Sequence, residues 1–469
     1  MMKKIKLQTP HPFVILFIVM ALITLATHFI PAGLYNRIVG ADGRELVDPE
    51  SFRLIESTPA GISDLLLAIP SGFSEAVDII SFTLFIGAGV AVINKIGLIP
   101  AAVESLAIKF QNKQFLVIPI LMLAISFFNA VSGVDELSLL YVSILMPLIL
   151  KLGFDSVTTI GLIFSASAAG FSAALFNPFT IAISQKIAGL PLYSGTGYRL
   201  VTFIVFTSVA IAYVMRYAVR VLKNPVISLT YEADLEKREK LTAEMETVTS
   251  GGKLNTRQKA AALFAGGAMV FMIYNLLKNG WDMPQMGACF LVIGTGCGII
   301  AGERLSDTCN TLLAGCNDMM FAALLIGIAR GISVIMTNAN ILDTIVYYIA
   351  NVLQHIPASI TIVGIFLSVT ILEIFISSGS GKAAVIFPIL APLSDLLHIT
   401  RQTTVLAYQF GDGFTNYFWP TSGIMHACLG KAGVSYSKWL KFYVPLLVIF
   451  TILSIIFLLI AQNIQFGPF

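Results

Sequence analysis

The stretch "ISSGSGKAAVIFP", residues 376–388, interrupts an otherwise oily region. "TIVGIFLSVTILEIF" (361–375) runs into it, yet it carries three serines, two glycines and a lysine. A phosphate loop would need a glycine five residues before its last glycine and a Ser or Thr after the lysine. Ile376 and Ala383 stand there instead, without a strand–loop–helix pattern around them. The reason for this polar patch lies in the rest of the chain.

The chain has 469 residues, of which 57% are hydrophobic and 12% charged. A soluble domain carries about 25% charged residues. Mean hydropathy is +0.85, and many windows approach the ~20 apolar residues that span a bilayer. The solvent for this surface is lipid, and the chain reads as a polytopic membrane protein. The first apolar segment, "PFVILFIVMALITLATHFI", is too long for a signal-peptide core and lacks a small-x-small cleavage site. It is expected to be a retained helix. The cysteines (Cys289, Cys297, Cys309, Cys316, Cys428) form no CxxC pair and read as packing residues rather than metal or redox groups. No metal site and no cofactor are expected. A net charge of +3 spread over loops points to no nucleic-acid partner.

The chain also repeats itself. "GFSAALFNPFT" (170–180) matches "GFTNYFWPTS" (413–422) with one deletion, and "MPLILKLGFDSVTT" (146–159) matches "APLSDLLHITRQTT" (391–404). "SGVDELSLLYVSILMP" (132–147) faces "SGSGKAAVIFPILAP" (378–392), and "LFIGAGVAVINKIGLI" resembles "LLIGIARGISVIMTNANIL". The offset stays near 240–245 residues throughout, a register that chance apolar similarity would not keep. The two repeats are joined by one strongly charged linker within 222–259.

Cationic residues favour the cytoplasmic side, which places Lys3, Lys4, Lys6 and the linker there. Counting outward from them, 13–30 go out, 81–99 return, 115–151 form two arms, 157–182 go out and 199–218 return. In the second half 260–278 go out, 284–301 return and 319–336 go out. The arms 358–397 begin and end outside, 403–428 come in, and 442–461 leave. Matched segments then run in opposite directions. The expected fold class is an all-α polytopic membrane protein of two inverted repeats, with re-entrant hairpins and broken transmembrane helices. Its expected parts are scaffold helices (1–114), a first hairpin and broken helix (115–221), the linker (222–259), second scaffold helices (260–357) and a second hairpin and broken helix (358–469).

Within lipid an irregular backbone costs several kcal/mol per unsatisfied group unless protein or a water-filled cavity surrounds it. Ser377, Ser378, Gly379, Ser380 and Gly381 suit a tight turn whose N–H groups face a ligand. The partner tip "FNAVSGVDEL" supplies Asn129, Ser132, Gly133, Asp135 and Glu136. "FNPFT" and "FWPTS" each break a helix with a proline, which removes a backbone donor and frees a carbonyl. These breaks bring Asn177, Pro178 and Thr180 in one half, and Pro420, Thr421 and Ser422 in the other. Paired breaks in two halves point to a transporter's binding site. Lys382, Glu373, Asp412 and Asn416 add charge and polarity at membrane depth, where ionisable groups mark function. The structural alternative is an ion pair of Lys382 with Asp135 or Glu136 that closes the two tips on each other. His28 and His426 read as helix-end residues rather than proton relays.

No GxSxG, HExxH or Walker A motif indicates an enzyme or a pump. A channel would line one axis with rings of one residue type, whereas two different broken-helix pairs in one chain favour alternating access.

"HPFVILFIVM…FIPAGLYNR", the two tips and the "FNPFT"/"FWPTS" breaks resemble the anaerobic C4-dicarboxylate carrier-like family over essentially the whole chain. Within it they are similar to the YfcC-like branch of arginine/ornithine-type basic amino acid antiporters. The resemblance implies the ion-transporter superfamily fold in a bacterial inner membrane, as a homodimer with a scaffold and a mobile transport domain at 115–218 and 358–462. It also implies binding by Ser132–Glu136, Ser377–Lys382, Asn177–Thr180 and Asn416–Ser422. The Ser-Asn-Thr tips of related sodium–dicarboxylate symporters are missing here. The candidate residues themselves offer one lysine against four acids, which suits a substrate ammonium or guanidinium, or a coupling H⁺ or Na⁺. The expected function is a secondary active transporter of a small carboxylate-bearing metabolite, an amino acid in preference to a C4-dicarboxylate.

The crossings make a test. Cysteines introduced at Ser194 and Ala358 should react with an impermeant thiol reagent in intact cells, and one at Lys438 only after permeabilisation. Labelling of position 438 from outside would contradict the inverted arrangement.

Overall fold

The computed structural model describes residues 12–39, 45–110, 113–248, 254–279, 281–355 and 358–467. The N-terminal lysines and residues 249–253 of the linker lie outside them. The chain is mostly helical, and among the described residues seven helices are long and apolar enough to cross a membrane. It is a multi-pass membrane protein. The all-α expectation needs one correction: two short antiparallel ribbons follow the first helix (Pro12–Ala26), pairing Gly33–Leu34 with Arg53–Leu54 and Arg37–Val39 with Glu45–Val47. They are too short to show as alternating strands in sequence. Asp343 anchors them, accepting from Tyr35 N at 3.0 Å and from the Arg37 guanidinium at 2.8 Å.

The helices Ile62–Glu75, Val77–Lys95, Met283–Ala301 and Leu305–Asn338, all from the segments expected to form the scaffold, pack against one another. Lipid supplies no hydrophobic drive between helices, so close packing of small residues has to hold them. A Cβ on Gly87 would fall 2.5 Å from the Gly315 carbonyl oxygen, which shows how near these two backbones lie.

Further helices surround two interrupted ones. Gln114–Ser132 and Ser138–Lys151 both pack on Ser156–Ser172, and Ala358–Leu372 and Gly379–Leu396 both pack on Arg401–Gly413. Each pair of arms therefore straddles the first half of its own broken helix. The broken helices resume at Ile181–Ile187 and Gly423–Ala432. They cross at their breaks, where a Cβ on Gly413 would lie 2.8 Å from Ser172 N and Gln409 Nε2 donates to the Phe171 carbonyl at 2.5 Å.

The charged linker is an anchored helix, Tyr231–Val248. Asp234 accepts from Ser156 N at 2.8 Å and from the Ser156 and Thr230 hydroxyls. Lys237 Nζ donates to Asp234 Oδ1 at 2.9 Å and to the Ala432 carbonyl at 2.7 Å. Arg238 donates to the Phe154 carbonyl at 2.7 Å. The linker thus grips the start of the first broken helix and the end of the second. Burial alone would raise the Asp234 pKa, but the bonds from Ser156, Thr230 and Lys237 outweigh it and hold the carboxyl below its ordinary 3.8.

A depressed carboxylate contributes stability above its unfolded pKa and loses it as pH falls below that value. Asp234→Ala should therefore cost on the order of 1–3 kcal/mol at neutral pH, because it strands Ser156 N and Lys237. Thermal melts of the detergent-purified protein should show the deficit, narrowing as pH drops below 3.8. An unchanged melting temperature would mean that the linker is not anchored as described.

Candidate functional site

The first tip forms where Gln114–Ser132 ends. Gly133 adopts φ 66°, the left-handed conformation that glycine takes at helix C-termini, and its N–H returns to the Asn129 carbonyl. A Cβ here would sit 2.3 Å from the Asn177 side chain, so the tip rests directly on the first break. Asn177 is fully buried, and its Oδ1 accepts from Phe179 N at 2.8 Å and Thr180 N at 3.2 Å. Asn129 Nδ2 donates to Ser167 Oγ at 3.2 Å, and Ser132 Oγ accepts from Val134 N at 3.4 Å. These three residues shape the tip from behind.

The second tip holds the opening stretch. Ser378 caps Gly379–Leu396, its hydroxyl accepting from Gly381 N at 3.2 Å, and Tyr408 OH donates to the Gly379 carbonyl. Lys382 is completely buried one turn into this helix. Its ammonium is paired with Glu373 Oε2 and, at 2.5 Å, with Asp412 Oδ1. The pairing partners are thus Glu373 and Asp412, not Asp135 or Glu136. Isolated charges in a membrane interior are expensive, and pairing offsets that cost.

Both tips open on one cavity of about 210 Å³. Of the residues singled out from sequence, Gly133, Asp135, Glu136, Thr180, Ser377, Ser378, Gly379, Ser380, Asp412, Asn416, Thr421 and Ser422 line it. Asn129, Ser132, Asn177, Pro178, Gly381, Lys382 and Pro420 do not line it. Pro420 instead offers its carbonyl to His426 Nε2 at 3.0 Å. Ser422 caps Gly423–Ala432, so two helix N-termini, at Ser378 and Ser422, face the same space. Such termini present free N–H groups and favour anions.

The facing wall comes from the scaffold: Ala76, Ile79, Met286, Ile326, Ala329 and Arg330. Sequence reasoning missed it. Arg330, a lone cation in an apolar run, was the signal available. Its Nε donates to Glu75 Oε2 at 3.0 Å. Acid dominates the lining, with Asp135, Glu136, Asp282, Glu373 and Asp412 against Arg330.

Several buried acceptors remain free. Asp412 Oδ2, Thr180 Oγ1 and Thr421 Oγ1 have no hydrogen-bond partner among the described residues. Asp135 Oδ2 accepts from Asn416 Nδ2 at 3.1 Å, while its other oxygen lies beside the Tyr417 hydroxyl without a bond of ordinary geometry. Unsatisfied buried polar atoms are few in native proteins, and these belong to residues that line the cavity. The arrangement suits a small zwitterion or a cation-bearing acid: N–H groups at two helix ends, and carboxylates opposite.

The two tip glycines are not equivalent. A Cβ at Gly379 would meet Thr180 Cγ2 at 2.8 Å and Asp412 Oδ2 at 3.1 Å, whereas at Gly381 its nearest neighbour is Ser378 Oγ at 3.3 Å. Gly379→Ala should reduce transport at least tenfold with the protein still monodisperse, while Gly381→Ala should keep most activity. Equal loss in both would show that the turn needs glycine for its backbone rather than for its clearance.

Residues 9–463 match the family described as C4-dicarboxylate anaerobic carrier. The chain is 32% identical to the Escherichia coli strain K12 protein named "Putative basic amino acid antiporter YfcC", over 97% of this chain and 96% of that one. It is 28% identical to an uncharacterized Haemophilus influenzae protein, over 88% of this chain and 81% of that one. Among solved structures, MtrF of Neisseria gonorrhoeae, an efflux pump, aligns over 98% of this chain and 96% of its own, with 18% identity and a TM-score of 0.44. The match over nearly the whole chain makes this protein a non-enzymatic membrane carrier, a member of the C4-dicarboxylate anaerobic carrier family.

Proposed function

We propose that this carrier exchanges small amino acids with a cationic side chain, of the arginine/ornithine type, across a bacterial inner membrane. The observation that carries the substrate class is the buried, unpartnered Oδ2 of Asp412, a residue that lines a cavity in which acids outnumber cations. The substrate's carboxylate would take the N–H groups at Ser378 and Ser422. Its ammonium or guanidinium would take Asp135 and Asp412. Coupling to H⁺ or Na⁺ belongs to the same reading.

The mechanism we propose is alternating access of an elevator type, with inverted repeats, re-entrant hairpins, a homodimeric scaffold and the linker on the cytoplasmic side. An asymmetry supports it. Gly423–Ala432 packs closely on Leu305–Asn338, with a Cβ on Gly423 2.9 Å from Ile326 Cα, whereas its counterpart Ile181–Ile187 makes no such close packing on Val77–Lys95. Two equivalent halves that pack unequally on one scaffold suit a carrier caught in one of two states. With the orientation expected from the charge bias, this state faces outward.

A second reading has its own observation. Two helix N-termini on one cavity could each hold a carboxylate, which suits a C4-dicarboxylate. Counterflow into proteoliposomes separates the two. Vesicles loaded with L-ornithine should take up L-arginine, and Asp135→Asn should weaken apparent affinity about tenfold or more, the loss of one charge-assisted hydrogen bond. Uptake of succinate or fumarate, with none of L-arginine, L-lysine or L-ornithine, would establish the second reading instead.

A further inference from the structure

The buried cluster around Lys382 contains two carboxylates and one ammonium, Glu373 and Asp412 sharing Lys382. Glu373, Lys382 and Asp412 are at most 2% exposed. The ammonium cancels one negative charge and leaves one over. Among the described residues the cation paired with Asp412 is Lys382, while Lys186, Lys438 and Lys441 stand on the helices Ile181–Ile187 and Tyr436–Asn463 that also pack on Arg401–Gly413. Glu373 and Lys382 flank it from the second tip, Tyr408 stands on its own helix and Tyr417 follows it, and Ser156–Ser172 carries no ionisable side chain. Across the cavity stand the acids Asp135 and Glu136, and Arg330, which is paired with Glu75. Lys382 occupies Asp412 Oδ1, while Oδ2 is buried with no partner among the described residues, 3.1 Å from where a Cβ on Gly379 would stand, in a side chain that lines the cavity.

We infer that Asp412 Oδ2 is a proton-binding site, occupied when the cavity is empty and vacated when the cationic group of a substrate takes its place. A net negative charge buried at membrane depth is costly, and carboxylates that share a site do not all stay ionised without compensation. The proton balance is direct. Substrate enters as a cation, Asp412 releases its proton to the cavity water, and the cluster with its occupant stays neutral. Proton and substrate cation thus compete for one oxygen. The empty carrier reorients carrying a proton, and the loaded carrier carries the substrate in its place. The inference deepens the proposed function and rests on reading this cavity as the transport site, whereas the charge count itself does not depend on the substrate.

Infrared spectroscopy of the purified full-length carrier in nanodiscs at neutral pH tests it, through the C=O band of a protonated carboxyl. The substrate-free protein should show this band. Asp412→Asn should lose it because the site is gone, and Glu373→Gln should lose it because Lys382 then balances Asp412 alone. Lys382→Met should gain intensity, because two carboxylates are left without their ammonium. L-Arginine or L-ornithine should discharge the band in the unaltered protein. Absence of the band from the unaltered protein, or its persistence in both Asp412→Asn and Glu373→Gln, overturns the inference. A band that follows the charge count yet ignores every basic amino acid upholds the proton site and overturns the substrate reading alone.

Discussion

Lys382 lies at the junction of the second tip and the second broken helix, and its ammonium joins Glu373 at the end of one arm to Asp412 on Arg401–Gly413. A lysine alone at this depth would be prohibitively expensive, and two carboxylates alone would repel. Together they permit a polar turn where lipid would otherwise forbid one. Tyr408 secures the Gly379 carbonyl from the same helix. With the turn fixed, Ser378 can cap its helix toward the cavity, and Gly379 can pass close to Thr180 of the other half.

The first half supports its tip without a charge pair. Gly133 sits on the Asn177 side chain, and the Ala130 carbonyl accepts from Leu175 N at 2.7 Å, so tip and break bind each other through backbone and amide groups. The two halves then meet where the broken helices cross, at Ser172 and Gly413. One half thus presents uncompensated acids, Asp135 and Glu136, while the other presents a mostly compensated cluster. That inequality leaves the cavity acidic, and it orders the two proposed roles: substrate cation near Asp135, and a shared proton or cation at Asp412. The linker extends the connection, since Asp234 and Lys237 hold the start of one broken helix and the end of the other.

Much of this was legible in the sequence because membrane depth makes polar residues conspicuous. The two tips, the two breaks and their pairing across halves all stood out as interruptions of apolar runs. The partner of Lys382 did not, because Glu373 is nine residues before it and Asp412 thirty after it, and both distances depend on how the turn folds back. The scaffold wall was illegible for a different reason: Ile79, Met286 and Ala329 are ordinary membrane residues, and only the packing of the first two residues' helices against Leu305–Asn338, which carries the third, brings them to one cavity. The short ribbons at 33–54 were hidden by their length. The prolines stood out for the right position but a different part, since Pro178 and Pro420 sit behind the cavity while Thr180, Thr421 and Ser422 beside them line it.

The claim on which most rests is that Lys382 is a resident counter-charge rather than a ligand for the substrate. The most direct measurement is a cryo-electron microscopy structure of the carrier in nanodiscs with saturating L-arginine. Lys382 should remain between Glu373 and Asp412, with ligand density running from the helix ends at Ser378 and Ser422 to Asp135 and the free oxygen of Asp412. A Lys382 ammonium withdrawn from both acids and bonded to the ligand's carboxylate would contradict it.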